Sequence, residues 1–365
     1  MDMTTDTALA PLEFAVTRNP EAKTAAERDA LLADPVFGTV FTDHMVQVTW
    51  TAGEGWHDPV VRPYGALSLD PAAAVLHYGQ EIFEGIKAYR HADGSIHTFR
   101  PDQNGGRLQR SAHRLALPEL PVEYFTQSLR ELIAVDGAWV PGGDDQSLYL
   151  RPFVFASEPF LGVRPANQVE YLVIASPVGA YFKGGAKPVS IWLSEDYARA
   201  GKGGTGAAKT GGNYAASLLP QAEAYEQGCD QVVFLDAEGN VEELGGMNIV
   251  FVRKDGTLVT PESDSILEGI TRLSLLQLAK DRGHTVERRP VTLTEWREGV
   301  ASGDIVEAFA CGTAAVVAPI GTLKGHDFTD AQPLGELALS LREELTDIQY
   351  GRHEDKHGWL VRLDA

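Results

Sequence analysis

Short local returns constrain this chain more than any other feature. Ala92-Asp93-Gly94, Asp236-Ala237-Glu238-Gly239-Asn240 and Asp255-Gly256 each lie between short apolar runs. Asp-Gly tolerates the positive φ of tight hairpin turns, so the flanking runs are expected to pair antiparallel. Gly85–Arg90 with Ile96–Arg100, and Asn248–Arg253 with Thr257–Thr260, are the resulting hairpins, while Gln231–Leu235 enters the longer turn. Hairpins outnumber clear helical crossovers, which argues for an α+β fold over a strictly alternating βαβ one.

The remaining pattern fits that class. Helices are expected at Ala22–Ala33, Pro71–Tyr78 (Asp70 as N-cap, Pro71 first), Asn104–Leu117, Val122–Asp136, Asn213–Gly228, Thr271–Arg282 and Leu334–Thr346. Strands are expected at Thr39–Thr49, Ser147–Ala156, Val169–Ser176, Val189–Leu193, Ile305–Phe309 and Ala314–Val317. With 365 residues the chain is too long for one typical domain. The glycine- and proline-bearing stretch 179–188 reads as a linker, which gives a smaller α+β domain over 1–178 and a larger one over 189–365.

Composition narrows the functional classes. Fifty-one acidic against 31 basic residues leave a net charge of −20, a poor partner for nucleic acid. The only cysteines, Cys229 and Cys311, form neither a disulfide framework nor a metal-ligand pair, so no metal is expected. The residues before Phe14 lack a basic cluster followed by an apolar run, and no apolar stretch reaches the ~18 residues of a membrane span. The expectation is a soluble, cytoplasmic protein.

Glycine is densest over Gly201-Lys202-Gly203-Gly204-Thr205-Gly206-Ala207-Ala208-Lys209-Thr210-Gly211-Gly212-Asn213-Tyr214. Gly201, Gly203 and Gly206 satisfy a dinucleotide-loop spacing, but no apolar strand leads into them. Gly203–Thr210 satisfies the phosphate-loop spacing except at Ala208, where a glycine would let the backbone wrap the phosphate. A solvated lysine in a flexible loop remains the plain alternative. A Schiff-base lysine would instead need a carboxylate for a pyridine nitrogen and an arginine plus helix N-terminal amides for a phosphate. All these residue types occur in the chain.

Lys209-Thr210-Gly211-Gly212-Asn213-Tyr214, followed by Glu242-Glu243-Leu244-Gly245-Gly246-Met247-Asn248, resembles the branched-chain amino acid aminotransferases, pyridoxal phosphate enzymes of fold type IV. Phe37–Met45, Tyr78–Gly85, Leu148–Pro152, Gly269–Arg272 and Gly312–Ala314 match in the same order, so the resemblance runs from about Val36 to the C-terminus. It implies a two-domain α+β transaminase with pyridoxal 5'-phosphate in the inter-domain cleft.

The resemblance also assigns roles. Lys209 matches the Schiff-base lysine that moves the proton between substrate Cα and cofactor C4′. Tyr214 matches the tyrosine on the ring phenolate, and Glu243 the carboxylate on the ring nitrogen. Strand alternation sends Glu242 the other way, with solvent as its expected surroundings. Arg107 matches the phosphate-binding arginine, with Arg110 and Arg114 on its helical face by spacing. Ile270 and Thr271 offer backbone amides to the phosphate; Thr313 serves phosphate and substrate carboxylate, and Ala314 adds an amide.

Phe37, Tyr78, Phe83, Tyr149 and Arg151 match the substrate pocket, which must admit an aliphatic chain in one half-reaction and the glutamate carboxylate in the other. Tyr149 and Arg151 are two apart on a strand and therefore share a face. The implied reaction is L-leucine, L-isoleucine or L-valine plus 2-oxoglutarate to a branched 2-oxo acid plus L-glutamate, by a ping-pong route. The implied assembly is a homodimer in which Tyr78 crosses to the partner. Where some members carry C-x-x-C after the Gly-Thr-Ala turn, this chain has Ala315 and Ala318, so no dithiol switch is expected. The alternatives are another fold type IV enzyme, such as a D-amino acid transaminase or aminodeoxychorismate lyase, a P-loop nucleotide hydrolase, and a non-catalytic binding protein.

Overall fold

The computed structural model describes residues 9–179 and 187–365; most of the expected linker, 180–186, lies outside the described residues. The chain divides into two compact units, Met1–Gly179 with Val361–Ala365 and Ala180–Leu360. The final segment, Val361–Ala365, therefore belongs with the first unit and not with the domain expected over 189–365. Strand pairing explains the return: the Leu363 amide donates to the Ile96 carbonyl at 2.8 Å, and Leu363 is buried in the first core.

Along the first unit run β1 (Ala15–Val16), α1 (Ala25–Leu32), β2 (His44–Thr51), β3 (Gly55–Pro63), α2 (Ala74–Tyr78), β4 (Glu81–Phe83), β5 (Ile86–Arg90) and β6 (Ile96–Phe99). They are followed by α3 (Pro101–Arg114), α4 (Val122–Asp136), β7 (Ser147–Ala156) and β8 (Gln168–Val178). The second unit holds β9 (Val189–Ser194), α5 (Gly211–Glu226), β10 (Gln231–Leu235), β11 (Val241–Leu244), β12 (Asn248–Arg253), β13 (Leu258–Thr260) and α6 (Ile270–Asp281). It continues with β14 (Val286–Arg288), α7 (Leu293–Ser302), β15 (Ile305–Gly312), β16 (Val316–Lys324), β17 (Thr329–Ala331) and α8 (Leu337–Gln349); β18 (Leu360–Arg362) ends the chain.

Each unit is built on one mixed sheet. The first has the order β1-β3-β2-β8-β7-β5-β6-β18, with β4 added on β7; the second runs β11-β10-β9-β16-β15-β12-β13-β14, with β17 added on β16. Among the described pairings, β1/β3, β9/β10, β9/β16 and β13/β14 are parallel and antiparallel returns dominate, so the fold is α+β. The first core packs Leu108, Phe125, Leu129 and Leu132 of α3 and α4 with sheet residues such as Val48, Leu148 and Tyr171. The second centres on Ile191, Val233, Phe251, Trp296 and Ala310.

Several local expectations change; the strand expected from Thr39 begins only at His44. Asp70 does not cap a helix; its carboxylate accepts the Ala72 amide in a turn, and α2 begins later, at Ala74. The strand expected at Ala314 begins at Val316, because β15 and β16 register Gly312 against Val316 and leave residues 313–315 as the connecting turn. Val316 sits at φ 62°, a costly conformation for a β-branched residue, at the end of that turn. Lastly, β3 and α7 are the longest of the elements that the sequence does not announce. Two prolines and a register shift disguise β3. Helix α7 buries only Trp296, which leaves little apolar periodicity, yet Thr292 accepts the Glu295 amide in a T-x-x-E cap that the sequence does display.

Candidate active site

The glycine-rich segment is pinned to α5. Thr210 is the N-cap, which puts Lys209 just before the helix and Tyr214 one turn in. Side chains at those positions approach each other across the first turn, a geometry that more often joins two apolar groups. Here it brings Lys209 Nζ to 2.6 Å from the Tyr214 hydroxyl, to which it donates. Asn213 secures the approach: its amide donates to the Thr205 and Ala208 carbonyls, both at 2.8 Å, and its Oδ1 accepts from the Thr205 hydroxyl at 2.7 Å. Gly206 packs so closely that a Cβ would lie 2.1 Å from the Ser265 carbonyl oxygen, so glycine is required there. These contacts fix the loop from Thr205 to Asn213, so Lys209 does not sit on a loose surface segment.

Glu243 lies on β11, whose four residues are all buried. Its Oε1 accepts the Leu267 amide at 2.9 Å and meets Arg199 Nη1 at 2.9 Å. Burial pushes the Glu243 carboxyl above the usual carboxylate range, and Arg199 opposes that shift most strongly. Arg199 is itself buried, and its Nε has no hydrogen-bond partner. A buried donor without an acceptor adds to the cost of burying this charge pair.

Glu242 departs from expectation. It alternates with Glu243 as a strand residue should, but its other face is covered: only 2% of it is exposed. Its Oε1 accepts the hydroxyls of Ser265 and Ser263. It borders a cavity of about 700 Å³ that Tyr197, Lys202, Asp236 and Asp264 also line.

Helix α6 opens at Ile270, with Gly269 as N-cap and both Ile270 and Thr271 buried. First-turn amides have no intrahelical acceptor and favour an anion. Asn248 fixes the approach to this helix by donating to the Leu267 carbonyl at 3.0 Å. Thr313 and Ala314 occupy the turn between β15 and β16, half-buried. Cys311, on β15, is buried and free, and burial pushes its thiol up to about 12.

The first unit carries the other expected residues. Asn104, Arg107, Leu108 and Ser111 form one buried stripe of α3. Arg107 is held by Glu84 along one guanidinium edge, Nε at 2.7 Å and Nη2 at 2.8 Å, and Asn104 donates to the same carboxylate at 2.7 Å. Arg110 and Arg114 do not share that burial; both are exposed.

Four expected pocket residues do come together. Arg151 donates to the Tyr149 hydroxyl at 3.0 Å and lies 4.9 Å over the Phe83 ring, while Phe37 meets Tyr149 edge-on at 5.0 Å. Gly85 makes room, since a Cβ there would fall 1.9 Å from the Tyr149 hydroxyl. Tyr78 stands apart from them. It is 40% exposed and donates to the Leu161 carbonyl at 2.5 Å.

Sequence reasoning missed Arg199, Ser265, Leu267 and Glu84 as parts of these arrangements. Glu84 lies within Tyr78–Gly85, but its pairing with Arg107, 23 positions away, follows no local period. Arg199 belongs to no recognisable motif.

Residues 81–323 match the model of the amino-transferase class IV family. The branched-chain-amino-acid aminotransferase of Mycolicibacterium smegmatis is 60% identical, over 97% of this chain and 99% of that protein. A probable branched-chain-amino-acid aminotransferase of Streptomyces coelicolor is 56% identical, over 93% and 95%. The crystal structure of the branched-chain amino acid aminotransferase from Thermobaculum terrenum in its PLP (holo) form superposes with a TM-score of 0.72 at 26% identity, covering 88% of this chain and 98% of that one. With half-buried amine, paired phenol and buried carboxylate in one unit, and a family match reaching into both sheets, this chain belongs to the class IV amino-transferases, among the branched-chain-amino-acid aminotransferases.

Proposed function

We propose that the chain transfers the amino group of L-leucine, L-isoleucine or L-valine to 2-oxoglutarate, with pyridoxal 5'-phosphate as cofactor, by a ping-pong route. The observation that carries this is the Lys209 Nζ–Tyr214 hydroxyl contact in the unit that also buries Glu243. The residues present fit the cofactor. Lys209 supplies a primary amine, the Ile270 and Thr271 amides open a helix toward an anion, and Glu243 keeps Oε2 clear of the two contacts that its Oε1 makes. When bound, the cofactor supplies an electron sink for the charge that develops at the substrate Cα.

The side chains divide the remaining tasks. Lys209 Nζ binds the cofactor and later takes up the proton released at Cα; the Tyr214 hydroxyl keeps Nζ aimed. Leu267 and Arg199 both engage Glu243 Oε1, so Oε2 is the oxygen assigned to the ring nitrogen. A positive ring nitrogen would offset the burial that now raises the Glu243 pKa. Arg107, held in place by Glu84, is assigned to the phosphate. Thr313 and Ala314 are assigned to the substrate carboxylate. Phe37, Phe83 and Tyr149 form the apolar wall for the branched chain, and Arg151 receives the side-chain carboxylate of glutamate. No helix among the described residues is long and apolar enough to cross a membrane. We place the enzyme in the cytoplasm as a homodimer, with the exposed Tyr78 as a residue the partner would cover.

A spectrum tests the reading. Purified protein should show a visible cofactor band that L-leucine depletes and 2-oxoglutarate restores. A colourless protein, or one answering to D-alanine and not to L-leucine, would overturn it.

A further inference from the structure

Two adjacent glutamates are buried on β11, and the proposed chemistry uses only one. Glu242 reaches the opposite face from Glu243, yet both touch the same stretch of chain, Ser263–Leu267. On one side, the Ser265 hydroxyl and, at 3.4 Å, the Ser263 hydroxyl donate to Glu242 Oε1. On the other, the Leu267 amide donates to Glu243 Oε1 at 2.9 Å. Arg199 joins the two: its Nη1 meets Glu243 Oε1 at 2.9 Å and the Ser265 carbonyl at 3.4 Å. Gly206 presses on that carbonyl from the glycine-rich loop. The segment is therefore clipped to β11 at both ends, and one clip is Glu242. Glu242 Oε2 has no partner and the side chain is almost fully buried, an arrangement that costs stability and so calls for a reason.

We propose that Glu242 is a positioning residue. By accepting the Ser265 hydroxyl it holds the 263–267 segment in register, so that the Leu267 amide and Arg199 keep Glu243 turned toward the cofactor's ring nitrogen. This rests on the Glu243 reading given above. Glu242 touches neither substrate nor cofactor; it acts through Ser265 and Leu267.

The test uses Glu242→Ala, Glu242→Gln, Ser265→Ala and the Glu242→Ala/Ser265→Ala double variant. Three quantities are read: exchange of the Leu267 amide in the apoprotein, the dissociation constant for pyridoxal 5'-phosphate, and the pH midpoint of the bound cofactor's visible band. Glu242→Ala should speed Leu267 exchange, weaken cofactor binding about tenfold and move the midpoint by about one pH unit, because a loosened Glu243 stabilises positive charge less well. Glu242→Gln keeps an oxygen acceptor for the Ser265 hydroxyl and should restore all three. Ser265→Ala should reproduce Glu242→Ala, and the double variant should be no worse than either, since both remove one linkage.

An unmoved midpoint in Glu242→Ala, even with a lowered melting temperature, would reduce Glu242 to a structural residue and overturn the proposal. So would a Glu242→Gln variant as defective as Glu242→Ala, or strictly additive effects in the double variant. Glu243→Gln separates the two readings. It should move the midpoint without speeding Leu267 exchange; if the midpoint stays, the assignment of Glu243 has failed, and Leu267 exchange in Glu242→Ala still decides whether Glu242 holds the segment.

Discussion

Each unit buries a glutamate–arginine pair, and the two pairs are built differently. Glu84 grips Arg107 through two parallel contacts of 2.7 and 2.8 Å, and Asn104 adds a third donor. Glu243 meets Arg199 through a single nitrogen, and the Arg199 Nε is left without a partner. Two-point pairing fixes orientation and answers both carboxylate oxygens, whereas one-point pairing leaves part of the desolvation cost uncompensated. The first pair thus resembles a rigid clamp that presents an arginine, and the second leaves Glu243 Oε2 outside both of its contacts, where another positive group can meet it. Damage to the clamp should be felt mainly in folding, and damage to the second pair mainly in turnover.

Lys209→Ala sets the scale of that contrast. Turnover should fall by about 10⁴-fold or more, with the circular dichroism spectrum unchanged, because the residue supplies chemistry and not packing. Appreciable transamination by this variant would refute the assigned chemistry. Glu84→Ala comes next. It strands a buried guanidinium, and urea denaturation should show a loss of about 3–5 kcal/mol; a loss under about 1 kcal/mol would mean that the clamp carries little.

Glu243→Gln should lower kcat about 10²- to 10³-fold; since it also leaves the buried Arg199 guanidinium without its carboxylate, it should cost stability too, but less than Glu84→Ala because one contact and not two is lost. Equal losses of stability in these two variants would erase the comparison. Tyr214→Phe removes one hydrogen bond to Nζ and should cost about tenfold in kcat, with cofactor still bound. A wild-type rate would show that the 2.6 Å contact is not used in turnover.

The smallest effect concerns pH. Burial raises the Glu242 pKa above its ordinary 4.5; Asp236 adds to the shift, while the Ser265 hydroxyl and Arg199 oppose it. A carboxyl that binds its proton more tightly when folded stabilises the protein fully below 4.5, and that contribution fades as the pH climbs through the raised folded value. Glu242→Gln should flatten this part of the stability profile of the apoprotein. An identical slope in the variant would show that Glu242 does not titrate there.

Much of the fold could be read from the chain. Val122–Asp136, Ser147–Ala156 and Gln231–Leu235 form over the spans expected of them, because their periodicity and flanking turns agree. Helix α7 was hidden because a single buried tryptophan gives no period, and β3 because proline and a register shift interrupt it. The expected pocket was partly legible. Tyr149 and Arg151 share a strand face by alternation, but nothing local places Phe37 against Tyr149, which lies far along the chain. Glu242 shows how alternation misleads. It fixes that neighbours point apart, yet it cannot say whether the far side is water or another loop.

What the sequence alone determined are properties of short range: hairpin turns set by Asp-Gly, helix starts and stops, and the offset of five residues that brings Lys209 to Tyr214 across one helical turn. What only the tertiary structure decided are matters of covering and pairing between distant segments: that Arg199 and Leu267 converge on Glu243, that Glu84 clamps Arg107, that Glu242 is buried, and that the last strand returns to the first sheet. Burial and long-range pairing depend on which segments the whole chain brings over a residue, and no local pattern encodes that.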